Sequence, residues 1–264
     1  MFHRRAGVLV GSGLAALLLA LLCGCGSNNS LGPSANATSR VRVFNSLENG
    51  PNNGIDIWTS DNSVELNQNS VAYGAVSPYI LVRAGNGVNA NVFASGTKTN
   101  TLITSNDIGN LDPHDAGTND GTFTVAAVGV SGQAGNDIPQ ILRFIDAPGT
   151  LQAGQALIRV INLAPNAGSV LLYNTSGGAT VPIPGFNGGG TAYGNSSGYV
   201  AITPAVGQSF NLNVFSAGQA LLANNVTFTF VAGDAYTVFV YGGANAGQPV
   251  AIVIVQDAPI TNPT

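Results

Sequence analysis

Five groups of residues in this chain have the type and spacing to do chemistry, and four of them also have a plain structural explanation. Gly194-Asn195-Ser196-Ser197-Gly198 matches G-x-S-x-G. In that pattern a serine sits on a sharp strand-to-helix turn and is activated by a histidine later in the chain. No histidine follows His114 and no helix signal follows Gly198, so a turn between strands is the expectation and a serine hydrolase the alternative. Asp107, Asp112, Asp115 and Asp120, with Asn106, Asn110 and Asn119, surround His114. Such carboxylates and amides are calcium ligands, but the spacing is not that of an EF-hand, so the choice is a solvated acidic loop or a weak Ca²⁺ site. Zinc fits less well, with one histidine and no cysteine nearby. Trp58 and the recurring tyrosines could stack on sugar rings. Trp58 alternates with Ile55 and Ile57 around Asp56, however, and the tyrosines recur at equivalent places. That points to packing, with a ligand platform at Trp58 as the alternative. Gly188-Gly189-Gly190 lacks the strand-to-helix context of a phosphate cradle. No set of nucleophile, base and orienting residue is present, so no catalytic residues, metal or cofactor are expected.

The fifth group is Cys23-Gly24-Cys25, and it carries the sharpest chemical expectation. His3, Arg4 and Arg5 precede an apolar run from Val8 to Leu22. The run is short for a membrane span and right for a secretory signal. It ends in Leu22-Cys23-Gly24-Cys25, which looks like a bacterial lipobox: cleavage after the small Gly24 leaves Cys25 as the acyl acceptor, such as for palmitate. Cys23 would require cleavage after the bulky Leu22. No other cysteine exists, so no disulfide is available to the rest of the chain. Several acyl chains on one cysteine exceed the single chain that anchors only marginally. Gly26, rather than Asp, follows Cys25, which in a diderm bacterium implies the outer membrane. Residues 26–39 have almost no apolar content and no charge, which suits a flexible tether. Fully extended they reach about 50 Å.

The elements that would position these residues come in duplicate. Tyr73-Gly74-Ala75-Val76-Ser77-Pro78-Tyr79 and Tyr193-Gly194-Asn195-Ser196-Ser197-Gly198-Tyr199 share Tyr, Gly, Ser and Tyr at identical spacing. Upstream, Val41-Arg42-Val43-Phe44-Asn45 aligns with Ile158-Arg159-Val160-Ile161-Asn162. Both alternate, with Arg on one face and aliphatics on the other, the period-two pattern of a half-buried strand. Downstream, Asn91-Val92-Phe93 aligns with Asn213-Val214-Phe215, and Phe123 to Gly129 with Tyr236 to Gly242. Each passage closes on Asp-Ala-Pro, at Asp146 and at Asp257, where proline is expected to stop the ladder. The period of about 115 residues is domain-sized rather than solenoid-sized.

These blocks resemble domain-of-unknown-function family 4397. The resemblance covers nearly all of residues 40–259 in two copies, closer in the second through Gly233-Asp234-Ala235-Tyr236-Thr237-Val238. In the first, Phe123 replaces the Tyr and a polar insertion precedes it. The resemblance implies a secreted or surface β-sandwich and no activity.

Val, Ile, Thr, Phe and Tyr cluster in short runs between turn pairs such as Asn53-Gly54, Asn86-Gly87 and Asn187-Gly188. No sustained helical stripe follows residue 25. The expected fold is all-β: two tandem immunoglobulin-like antiparallel β-sandwich domains, residues 40–148 and 156–259, after a signal peptide (1–24) and a lipidated tether (25–39). Each should carry about seven strands, with Thr124–Val128 and Thr237–Tyr241 central. Val250–Val255 should be covered on both faces, and a short connector, Gly149–Gln155, should leave the domains in contact.

Charged residues make up only 8% of the chain, against about 25% in typical domains. Without Arg4 and Arg5, six basic residues face twelve acidic ones. Nucleic acid is therefore a poor partner. The reading that follows is a non-catalytic, envelope-anchored lipoprotein with an adhesive or assembly role and a protein or glycan partner. A carbohydrate- or small-ligand-binding module, with its site near Trp58 or between the domains, is the alternative.

Overall fold

The computed structural model describes residues 38–83, 88–109, 111, 121–133, 137–186, 188–244 and 249–257. The signal segment, Cys25 and the tether up to residue 37 lie outside the described residues, as do Asp112, His114, Asp115, Asp120, Asn86-Gly87 and Asn187; Thr38 and Ser39, expected to end the tether, instead open the first strand.

The described chain is built from fifteen strands in four sheets. The first half contains β1 (Thr38–Glu48), β2 (Ile55–Thr59), β3 (Ile80–Arg83), β4 (Asn89–Ala94), β5 (Thr101–Asp107), β6 (Thr122–Val130) and β7 (Gln140–Ile145). The second contains β8 (Ala156–Leu163), β9 (Val170–Asn174), β10 (Val181–Pro182), β11 (Val200–Ile202), β12 (Ser209–Ser216), β13 (Leu221–Thr229), β14 (Ala235–Tyr241) and β15 (Ala251–Gln256). The sheet orders correspond. β3-β1-β6-β7 in the first half matches β11-β8-β14-β15 in the second, and β2-β4-β5 matches β9-β12-β13, with the short β10 added outside β9. Even the register shifts correspond, falling at Val92 in β4 and at Val214 in β12.

Most pairs are antiparallel, but one pair at the centre of each half is parallel: β1 with β6, and β8 with β14. Alternation and turn signals do not encode this direction. It arises because the chain leaves β1, runs through the other sheet, and re-enters beside β1 pointing the same way, the crossover a parallel pair requires.

The sheets stack in four layers, with three hydrophobic seams between them. In the first half, Val41, Val43, Phe123 and Val125 pack against Ile55, Ile57 and Val92. In the second, Ile158, Val160, Val238 and Val240 pack against Leu172, Leu212 and Val214. The middle seam joins the halves: Phe44, Ala126, Val128 and Phe144 meet Ile161, Leu163 and Phe239. Phe44 and Phe239 stack with centroids 4.4 Å apart and planes 5° from parallel. Each aromatic buried there stabilises the contact by roughly 1.5–3 kcal/mol.

This third seam explains the composition of the central strands. β6 reads Thr-Phe-Thr-Val-Ala-Ala-Val-Gly-Val and is buried at every position. Phe123, Val125 and Ala127 face one core, Ala126 and Val128 the other. It also corrects the half-buried reading of β1 and β8. Arg42 is 1% exposed and Arg159 2%, because the face opposite the aliphatics meets the other half rather than water. β15 is an edge strand, and its two faces meet different seams, Ile252 one and Val253 and Val255 the other.

Candidate functional site

The one constellation of charged side chains buried among the described residues lies in the seam between the halves. Arg42 projects from β1 and Arg159 from β8. Asp146 directly follows β7 and Asp257 directly follows β15. Each arginine pairs with the aspartate of the opposite half. Arg42 Nη2 lies 2.5 Å from Asp257 Oδ1, and Arg159 Nη2 bonds Asp146 Oδ1. Arg42 Nε is also 3.7 Å from Asp146 Oδ2. The arginines reach across to backbone as well: Arg159 Nη1 donates to the Ile145 carbonyl at 2.7 Å and Arg42 Nη1 to that of Gln256 at 3.4 Å.

Two threonines and two tyrosines complete the network, and Thr237 Oγ1 also accepts from Arg42 Nη2 of the opposite half at 3.2 Å. Thr124 Oγ1 accepts from Arg42 Nε at 2.8 Å and donates to Asp146 Oδ2 at 2.7 Å. Thr237 Oγ1 accepts from Arg159 Nε at 2.9 Å and donates to Asp257 Oδ1 at 2.7 Å. Tyr79 donates its hydroxyl to Asp146 at 2.7 Å, and Tyr199 to Asp257 at 2.6 Å. Their rings lie against the arginines, with the guanidinium carbons 4.7 and 4.8 Å from the Tyr79 and Tyr199 centroids. Burial, with the neighbouring Asp146, pushes the Tyr79 hydroxyl well above the usual phenol range. Burial also raises Tyr199, against the opposing pull of Arg159 and with smaller upward contributions from Asp257 and Asp146. Both phenols therefore stay protonated and serve as donors. Burial on its own would lower the pKa of each arginine, but Asp146 and the other acidic neighbours reverse this and the net shift is upward. Charge and hydrogen bonding are satisfied inside the network, as a buried ion pair requires.

The duplicated Tyr-Gly-x-x-Ser-x-Tyr stretch builds this arrangement. Its serine accepts from the strand beside it: Val43 N to Ser77 Oγ, and Val160 N to Ser197 Oγ, both at 2.8 Å. Its last tyrosine then lands on the aspartate. Its glycine has φ of 73° in both halves, a left-handed turn that glycine adopts without cost. Gly74 must also lack a side chain, because a Cβ there would collide with the Tyr241 hydroxyl from the opposite half.

The other sequence candidates are scattered. Ser196 forms an isolated bridge with Ile161 and donates its hydroxyl to the Ser197 carbonyl at 2.8 Å. It lines a cleft of about 480 Å³ with Phe186, Gly188, Gly190, Thr191 and Asn195. Asp107 accepts from the Gly109 amide at 2.8 Å. Beyond it, Ile108 and Leu111 insert into the first core, and Ser39 donates to the Leu111 carbonyl. Among the described residues no group of three or more His, Cys, Asp or Glu side chains is placed to hold a metal. Trp58 is not a core residue. It is half-buried on the outer face of the β2-β4-β5 sheet, where Lys98 Nζ sits 3.3 Å from its ring centroid. Asp56 and Trp58 share the face opposite Ile55 and Ile57, so period-two geometry places the indole outside. Between the halves the described residues place the network and the middle seam.

Residues 39–173 match the sequence profile of a family described as a domain of unknown function (DUF4397). The chain belongs to this family. The matched region runs from β1 to β9, and so takes in the whole first half and the first two strands of the second. Within it lie Arg42, Tyr79, Thr124, Asp146 and Arg159. No curated protein matches the chain.

Proposed function

We propose that the chain is a non-catalytic lipoprotein of the cell envelope, built from two tandem copies of one β-sandwich domain and working through its surface loops and sheet edges in adhesion or assembly. The carrying observation is the use of the buried charges. Arg42, Arg159, Asp146 and Asp257 are 1–6% exposed and bonded to one another across the seam. They hold a rigid body together and offer nothing to a substrate. The duplicated hydroxyls, Ser77 with Ser197 and Tyr79 with Tyr199, act within the same scaffold.

Anchoring through Cys25 suits this geometry. β1 begins at Thr38, close to Arg42 and Asp257, so the tether joins the body at the end where β15 also finishes. The loops at the opposite end, around residues 49–54, 131–133 and 164–169, would then face away from the bilayer. The seam ties both sandwiches to that single tether.

The test uses the full chain in a diderm host. Wild type should fractionate with membranes and yield an acylated Cys25 peptide by mass spectrometry, and Cys25→Ser should appear in the soluble envelope fraction. Membrane association that survives Cys25→Ser would remove the anchor from the proposal. A saccharide that raises the melting temperature of wild type but not of Trp58→Ala would replace adhesion or assembly with the sugar-binding reading.

A further inference from the structure

The contact between the halves has the form of a homodimer interface. In such an isologous contact, residue i of one subunit meets j of the other and j meets i. Here Arg42 meets Asp257 while Arg159 meets Asp146. All the groups concerned are nearly buried and the rings between them stack at 4.4 Å. A face of this kind is complete only when the complementary half occupies it, and nothing in its contacts requires that half to come from the same chain. What ties the halves together is the connector, residues 147–155. It contains no strand, and Gly149 and Gly154 hold φ of 76° and 80°. Fully extended it reaches about 30 Å, against a spacing of about 10 Å between packed sheets.

We propose that this face is an exchangeable docking surface whose partner is the complementary half of a second copy of the chain. The first half of one molecule takes the second half of another, and the reverse pair closes a two-fold dimer. The exchanged dimer repeats every contact of the monomer and opens only the connector. Its balance against the monomer is therefore set by effective concentration, which for a short flexible linker is in the millimolar range. Dilute chains close on themselves. Chains refolded near millimolar concentration, or crowded on a membrane, exchange halves, and the buried seam makes the exchange slow to reverse. The inference stands independently of the anchor and of the adhesion or assembly role.

A protease recognition sequence inserted between Gly149 and Gln155 of the full chain tests it. The unfolded protein is refolded at micromolar and at near-millimolar concentration, and its mass is read by light scattering before and after cutting. The expected result is a monomer from dilute refolding whose mass is unchanged by cutting, because the seam holds the two pieces together. Concentrated refolding should add a dimer that persists on dilution and whose mass halves on cutting, since each cut dimer is two complementary pairs. A dimer that keeps its mass after cutting is an ordinary side-by-side dimer and overturns the proposal. So does a cut monomer that separates into its halves, or the absence of any dimer after concentrated refolding.

Discussion

Asp257→Asn is a substitution in the second half, and the network requires it to be felt in the first. Asp257 accepts from Arg42 at 2.5 Å, Thr237 at 2.7 Å and Tyr199 at 2.6 Å. Neutralising it leaves Arg42 buried with a carboxylate only at 3.7 Å, from Asp146. Removing one partner of a buried ion pair costs about 3–5 kcal/mol, and the remaining Asp146 contact places this case at about 3 kcal/mol. For a body of this size each kcal/mol lowers Tm by about 2–4 °C, so a fall of roughly 6–12 °C is expected. Asp146→Asn should cost more, because it strands Arg159 and weakens Arg42 together.

The chain has a single tryptophan, and it reports from a useful place. Trp58 lies in β2, in the outer sheet of the first half. Its fluorescence therefore follows first-half unfolding, while circular dichroism follows both halves. With the network as described, Asp257→Asn shifts the Trp58 transition and the circular-dichroism transition together, as one cooperative event. If the Trp58 midpoint stays where it is in wild type while a separate second-half transition moves down, the halves are energetically independent and the reasoning from the seam fails.

Three further outcomes follow from particular positions. Gly74→Ala should destabilise more than Gly96→Ala in urea titration: both glycines have positive φ, 73° and 75°, but only at Gly74 does a Cβ meet the opposite half. Burial raises the phenols of Tyr79 and Tyr199, so in the unfolded chain they ionise first, near pH 10. Their contribution to stability is complete below that pH and lost as pH rises above it, and phenolate absorbance from these two residues should appear only with unfolding. Asp61, hydrogen-bonded by Thr59 and Ser63, has its carboxyl lowered from 3.8 to about 2. Its contribution is present above about pH 3.8 and lost between there and about 2, and carboxyl NMR should show the low titration, returning toward 3.8 in Thr59→Val.

Much of the fold was legible, and the part that was not has a specific cause. The alternation in Val41 to Asn45 located β1, the apolar run at Thr124–Val128 located a central strand, and Asn53-Gly54 located a turn whose glycine amide bonds the Pro51 carbonyl at 3.0 Å. The network was hidden because its partners lie far apart in the chain: Arg42 and Asp257 are 215 positions apart. An arginine facing away from aliphatics ordinarily faces water, and only a second sheet on that side makes it a buried residue. One signal was available. In a chain with eight basic residues in all, both duplicated strands keep an arginine at the same position, and both passages end in an aspartate. Retaining a charge twice where charge is scarce marks a specific partner. Trp58 shows the converse. Its grouping with Ile55 and Ile57 pointed to packing in the core, but strict period two pairs it with Asp56 on the opposite face, and the indole lies outside.

The same scarcity of charge bears on how the body is held together. A seam made only of Phe44, Phe239, Ile161 and Leu163 would be non-directional, and two apolar sheet faces can slide or rotate against each other with little change in buried area. Buried ion pairs add little net stability over apolar packing, so the crossed arginines are better explained by orientation than by strength. Each guanidinium is fixed by a threonine on its own side and a carboxylate on the other, and each carboxylate by a tyrosine. A slip of one residue in either sheet would reverse which side chains face the seam and leave four buried charges without partners. Replacing Arg42, Arg159, Asp146 and Asp257 together by Met and Leu separates the two explanations. The variant should keep a Tm near that of wild type yet lose the sharp, dispersed NMR signals of Phe44 and Phe239, because the seam would take up several registers. A variant that is strongly destabilised while those signals stay sharp would make the network a source of strength instead.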